Sequence, residues 1–375
     1  MNWKFYLLKE KPMIEIKDIG TFKTIPQIAA DIMAGDTNAL DNHLIKKWKI
    51  EKKIKLEGDD GFVFEYSPLD LALMTSSFAS IKWLVEHGVN LNAKYNYSFL
   101  MAARYCDEKI LRYLVEHGAE VVSDQKYGVD AFEQALFGEK LDNLPVIHKL
   151  GYTVAKYGGN GFFDAIMDNN VTAVTFFVEN GIDLNAFVNT YHDETTPLCA
   201  TARFADLELC KYLVAHGANV TLTEKSGMRP YNIALERGDL EMADFFKSLE
   251  PENFHDIQNK LAELKSYKLP AVLLDFLQSD NLRFDFGKRA SGKDYEYIDF
   301  LPLSDTLPMK AGRQKVLRLS RAIDNYSSTH IVWNPKTKMI AFYDEEHEEL
   351  GDIAPFDDFI NNLPLYIQKI IDGDL

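Results

Sequence analysis

The stretch that decides the fold is "LVEHG" at residues 84–88, which returns unchanged at 114–118 and as "LVAHG" at 213–217. Two readings compete: a reused catalytic piece carrying its histidine, or the trace of a repeated building block. With the final glycine as marker, the chain gives "WLVEHGVNLN" (Gly88), "YLVEHGAEVV" (Gly118), "VIHKLGYTVA" (Gly151), "FFVENGIDLN" (Gly181) and "YLVAHGANVT" (Gly217), at spacings of 30, 33, 30 and 36. A second series runs between these marks: "SPLDLA" from Ser67, "SFLMAA" from Ser98, "DAFEQA" from Asp130, "GFFDAI" from Gly161, "TPLCAT" from Thr196 and "RPYNIA" from Arg229. Two series in phase mean a solenoid of stacked units.

Each unit has its own chemistry. Ser67 and Thr196 are suited to cap a helix, with Pro68 and Pro197 at the first position, where a missing N–H costs nothing. Ala72, Ala103, Ala135 and Ala234 let neighbouring helices approach closely. A second helix ends at a glycine free to take the left-handed conformation. The polar stretch that follows, such as "VNLNAKYNY", reads as a projecting hairpin finger. No unit buries its apolar face alone, so the stack makes the core. The histidines at 87, 117 and 216 hold one position in this scheme and are expected to bond backbone at the helix end.

These units resemble the ankyrin repeat, whose consensus carries "TPLHxA" and "LLxxGAxxN". The resemblance covers roughly residues 25–250. "AGDTNALDNHL" (34–44) is similar to the second helix of a degenerate first repeat, and "LERGDLEMADFFKSLEP" (235–251) to that of the last. Pro145 is expected to shorten the second helix of its unit. Ankyrin stacks recognise proteins with finger tips and the concave helix face. Here the fingers carry Tyr95, Tyr97, Tyr127, Tyr157 and Tyr191, a residue type that gives large contact area at low entropic cost.

After Pro251 the period stops. "NFHDIQNKLAELKSYKLPAVLLDFLQSD" reads as two helices split at Pro270. "RFDF" and "YEYIDFL" alternate as half-buried strands do, "HIVWNPKTKMIAFYDEE" is a hairpin, and "APFDDFINNLPLYIQKII" is a helix. "LPAVLLDFL" (269–277), "IDFLPLSD" (298–305), "HIVWNPKTKMIAFYDEEHEE" (330–349) and "FDDFINNL" (356–363) resemble the SUKH superfamily of Smi/Knr-like cell-wall regulators and bacterial immunity proteins, over about 252–365. The usual "NGG"-like turn is here "QSDNL". The expected fold is therefore multidomain: an all-α ankyrin-repeat solenoid over 1–250, with a degenerate cap over about 1–60, then a smaller α+β SUKH-like domain with an antiparallel sheet over 251–375.

The 375 residues carry a net charge of −16, of which −5 lies on residues 266–375. Acidity in both parts argues against direct nucleic-acid binding and suits a basic protein partner. Asp344, Glu345, Glu346, Glu348 and Glu349 concentrate carboxylates in "YDEEHEELGD". The three cysteines show no C-x-x-C spacing, which favours a reducing compartment, and neither a signal peptide nor a membrane span is legible. A soluble cytoplasmic protein is expected.

"GKRASGKD" (287–294) fits G-x-x-x-x-G-K, but Asp294 stands where a phosphate loop needs Ser or Thr, and a strand follows. Histidines and cysteines never meet at metal-ligand spacing, and no nucleophile motif occurs. No catalytic residue, metal or cofactor is expected. The two resemblances together imply an immunity protein that neutralises a cognate, basic bacterial toxin, such as a nuclease, by tight stoichiometric binding. The alternatives are a regulatory scaffold bridging protein partners and an enzyme hidden in the C-terminal domain.

Overall fold

The computed structural model describes residues 5–8, 11–16, 19–58, 60–93, 96–122, 129–189, 194–286, 296–326 and 328–375. The chain falls into two compact units, Met1–Asp183 and Leu184–Leu375. The boundary expected near residue 250 lies inside the second unit.

The first unit opens on an antiparallel sheet that corrects the expectation of helices alone. Strands β1 (Phe5–Leu8), β2 (Lys11–Ile16) and β3 (Gly20–Thr24) precede helices α1 (Gln27–Ala34) and α2 (Thr37–Ile45), and β4 (Ile54–Gly58) and β5 (Val63–Tyr66) complete the sheet in sequence order. Ile54, Leu56 and Gly58 point inward between exposed Lys55 and Glu57, the period-two pattern of a half-buried strand. Helix α2 spans most of the "AGDTNALDNHL" stretch. Asp36 caps α2 by accepting from Ala39 N–H at 3.0 Å.

Helix pairs then follow: α3 (Pro68–Met74) with α4 (Phe78–Glu86), α5 (Ser98–Tyr105) with α6 (Glu108–Glu116), α7 (Ala131–Phe137) with α8 (Asn143–Lys149), and α10 (Gly159–Met167) with α11 (Val171–Glu179). Ser67 accepts from Asp70 N–H at 3.0 Å, and Asp70 accepts from Ser67 N–H at 2.9 Å, which closes a capping box ahead of Pro68. Ala72, Ala103 and Ala135 are fully buried. Helix α8 has seven residues against nine in α4, α6 and α11, with Pro145 in its first turn.

The connections vary. A two-stranded finger, β6 (Asn92–Ala93) with β7 (Asn96–Tyr97), follows Gly88. After Gly151 the expected finger is replaced by a helical turn, α9 (Val154–Tyr157). Few residues separate Gly151 from α10, and both Tyr152 and Val154 are fully buried. A helical turn keeps these side chains in the core while pairing its own backbone.

The second unit continues the series with finger β8 (Val188–Asn189) and β9 (Glu194–Thr195), then α12 (Pro197–Phe204) with α13 (Leu207–Ala215) and α14 (Pro230–Arg237) with α15 (Leu240–Leu249). Helices α16 (Ile257–Leu264) and α17 (Ala271–Leu277) flank Pro270 as anticipated. Strands β10 (Arg283–Asp285), β11 (Tyr297–Phe300), β12 (Leu307–Ala311), β13 (Gln314–Arg318), β14 (Ser320–Ile323), β15 (Thr329–Asn334), β16 (Met339–Asp344) and β17 (Glu349–Ala354) precede α18 (Phe356–Asn361) and α19 (Leu363–Asp372). Among the described residues they form two antiparallel sheets, ordered β10-β11-β14 and β12-β13-β15-β16-β17. Leu273, Leu277, Phe300, Trp333, Phe359 and Ile367 share one core between helices and sheets. The anticipated β15–β16 hairpin pairs Thr329 with Asp344 and Asn334 with Met339.

Candidate protein-binding surfaces

The repeated glycines carry positive φ: +81° at Gly88, +100° at Gly118, +105° at Gly151, +83° at Gly181 and +99° at Gly217. They close their helices in the left-handed region that side-chain-bearing residues avoid. One residue earlier, Nδ1 of His87, His117 and His216 lies 2.7 Å from the carbonyl oxygen of Trp83, Tyr113 and Tyr212 respectively. Each imidazole also lies on the ring of the same residue, with centroids 3.9 to 4.2 Å apart. Asn180 donates to the Phe176 carbonyl at 2.8 Å in the sister repeat. The imidazoles are helix-end caps, and Nδ1 of each is committed to backbone.

A second repeated side chain orients the fingers. Asn92 donates to the Gly118 carbonyl at 2.9 Å and accepts from Glu120 N–H at 2.8 Å. In the second unit Asn185 donates to the Gly217 carbonyl at 3.1 Å and accepts from Asn219 N–H at 2.8 Å. The "LN" that ends "VNLN" and "IDLN" thus ties one connection to the next. This positioning role was legible only as a recurring letter.

Of the five finger tyrosines, Tyr95, Tyr127 and Tyr191 lie outside the described residues. Tyr97 stands half-buried at the end of β7, just before α5. Tyr157 ends α9, not a finger, and stacks on buried Tyr152 with centroids 4.1 Å apart. The glycine-lysine stretch 287–294 also lies outside the described residues.

The five clustered carboxylates divide by environment. Asp344 ends β16 and accepts from Glu346 N–H at 2.9 Å, with His347 Nδ1 2.8 Å away. Partial burial pushes its carboxyl up, but these bonds outweigh that and hold it below the ordinary range. Glu345 turns toward buried His330, whose Nε2 lies 3.3 Å from it. Burial raises the Glu345 carboxyl, yet the His330 contact with Arg318 and Arg203 nearby holds it below its usual value. Glu346, Glu348 and Glu349 remain exposed at the β16–β17 turn.

A charged network missed in the sequence joins the last repeats to the C-terminal sheet within this unit. Arg318 on β13 pairs with Glu236 on α14 and donates to the carbonyls of Ser320 at 2.9 Å and Arg321 at 2.8 Å. Arg203 on α12 lies 2.7 Å from Glu224 and 3.7 Å from Glu236. Arg229 pairs with fully buried Glu250, which also meets His255 at 2.9 Å. Buried charges need such partners.

Residues 162–256 match the ankyrin-repeat family in three copies. Among solved structures, the chain is similar to the ankyrin repeat domain of Bcl-3, described as a unique member of the IkappaB protein family, at 21% identity over 49% of this chain and 86% of that one, with a TM-score of 0.43. The human ASB11 ankyrin repeat domain aligns at 16% identity over 58% and 98%, with a TM-score of 0.46. No curated protein sequence matches the chain. Residues 162–256 are therefore ankyrin repeats, modules of protein–protein interaction, followed by a region built on antiparallel sheets. No helix among the described residues is long and apolar enough to cross a membrane.

Proposed function

We propose that the chain is an immunity protein: it binds a cognate bacterial toxin stoichiometrically and blocks it. The observation that carries the reading is the set of ankyrin repeats at residues 162–256, where Asn185 and His216 are spent on backbone. In this reading residues 1–250 form the array and 251–375 a SUKH-like domain. Contact is made by the finger tyrosines Tyr95, Tyr97, Tyr127 and Tyr191, and by Glu346, Glu348 and Glu349 on the β16–β17 turn. A net charge of −16 supports a basic partner, such as a nuclease whose site is built for phosphate. The chain itself performs no chemistry and acts in the cytoplasm. The test is capture of partners from the native host on the tagged full chain, washed at high salt. A single stoichiometric basic protein that is toxic when expressed alone supports the reading. Several sub-stoichiometric housekeeping proteins favour a regulatory scaffold and refute it.

A further inference from the structure

We propose that the C-terminal region carries a basic cradle that docks an acidic peptide segment of a partner protein, a surface separate from the fingers and from the acidic β16–β17 turn. The sequence segments that build it are "KSYK" (265–268), "KAGRQK" (310–315) and "PKTK" (335–338), which hold seven cations and no carboxylate. Their extremes, Lys265 and Lys338, are 73 positions apart, and the fold gathers them. The register of β12 on β13 places Lys310 opposite Lys315, so that Gly312 and Arg313 form a hairpin tip. Pairing of β13 with β15 matches Leu317 to Trp333, so this tip and the β15–β16 tip share one end of the sheet. Gln314 fastens the tips by donating to Asn334 at 2.6 Å, and Lys315 reaches the Ser266 hydroxyl and lies over the Tyr267 ring at 4.0 Å.

The result is an open trough of about 760 Å³. Lys268, Arg313, Lys315 and Lys336 line it with Ser266 and Gln314, over an apolar floor that includes Ala311 and Leu350. All four cations are exposed. Among the described residues Lys268, Arg313 and Lys336 form no ion pair, and no carboxylate lines the trough. Asp352 stands beside the β15–β16 tip and accepts from Asn334 at 2.8 Å and Thr337 at 3.0 Å, and on a chain of net charge −16 the four exposed cations of the trough are a local concentration of positive charge. Its chemistry suits several side-chain carboxylates presented on one extended strand, with aliphatic lysine stems and the apolar floor taking the intervening methylenes. A nucleic acid strand fits less well. Its phosphates continue along a chain of net charge −16, whereas a short acidic segment ends within the trough.

The experiment is fluorescence anisotropy on the full chain with a tetramethylrhodamine-labelled Gly/Ser peptide containing four consecutive glutamates. Saturable binding is expected in about 50 mM salt, weakening steeply as salt is raised through the Debye range. Replacing the glutamates with glutamine abolishes it. The double variant Arg313→Gln/Lys336→Gln binds about tenfold more weakly, the size expected from two partly solvated pairs. The reversed variant Arg313→Glu/Lys336→Glu binds a tetralysine peptide instead, a gain that misfolding cannot produce. The proposal is overturned by absence of saturable binding, by equal affinity of wild type and both variants, by equal binding of the glutamine peptide, or by tighter binding of an oligothymidine strand of similar length.

Discussion

Substituting Arg318 by Met tests how the C-terminal sheet is held to the last repeats. The Arg318 side chain is 4% exposed and Glu236 is 27% exposed. Breaking a buried pair from one side costs about 3–5 kcal/mol, because the other charge is left uncompensated. Glu236 keeps some water and a second cation, Arg203, at 3.7 Å, which places the cost near the lower end. Two carbonyls, of Ser320 and Arg321, also lose their donor. A loss of about 3 kcal/mol follows, or roughly 6–12 °C for a unit of this size. Glu236→Met alone costs less, since the guanidinium retains its carbonyl acceptors. The assay is a double-mutant cycle by urea unfolding, following Trp333 fluorescence, with hydrogen exchange on β13–β15 to localise the effect. The cycle should give a coupling of about 1–2 kcal/mol. Additivity to within about 0.3 kcal/mol, or an unshifted Arg318→Met transition, would refute the clamp.

Three further outcomes follow from named groups. His117→Ala should cost about 1 kcal/mol for one lost helix-end bond, while His117→Asn should recover most of it, because Asn180 performs the same task in a sister repeat; equal losses in thermal melts would contradict the capping role. Burial lifts the Asp130 and Glu133 carboxyls, with their mutual repulsion raising Glu133 to about 8, and burial lifts Asp164 to about 6, aided by Glu133 and Asp168. These are carboxyls raised on folding, so their contribution is present at low pH and is lost as pH climbs from about 4 through about 8. The melting temperature of the first unit should fall across that window, and Glu133→Gln should flatten the slope; a slope unchanged in the variant rejects this. Burial pushes Cys106, Cys199 and Cys210 to about 12, so a disulfide-exchange reagent should modify none in the native chain and three after denaturation.

What was legible in the sequence was whatever repeats or caps. Five glycines in register disclosed the left-handed helix ends, and Ser67 with Pro68 disclosed a helix start, because those conformations demand those residue types. The N-terminal sheet was not legible: its strands are four to six residues long, and the Ile54–Gly58 alternation is too brief to stand out among lysines. Strands β12 to β14 escaped for a similar reason, with Pro308 interrupting the β12 pattern at the sheet edge. The turn of helix at Val154–Tyr157 was read as a finger because polar and glycine residues surround it, and burial of Tyr152 and Val154 decided otherwise. In the acidic run, sequence neighbours could not reveal that Glu345 faces His330 across the β15–β16 pair while Glu346 faces water. The Arg318 clamp and the basic cradle depend on residues brought together from distant segments, which only the sheet register specifies.

The most direct test of the central claim is neutralisation in living cells. The captured partner is expressed from an inducible promoter, with and without the full chain, and growth is followed. The account predicts arrested growth with the partner alone, normal growth when the chain is co-expressed, and renewed arrest when Tyr95, Tyr97, Tyr127 and Tyr191 are replaced by alanine in a chain that still folds. A partner that leaves growth unaffected, or a toxic one that the intact chain fails to neutralise, would contradict it.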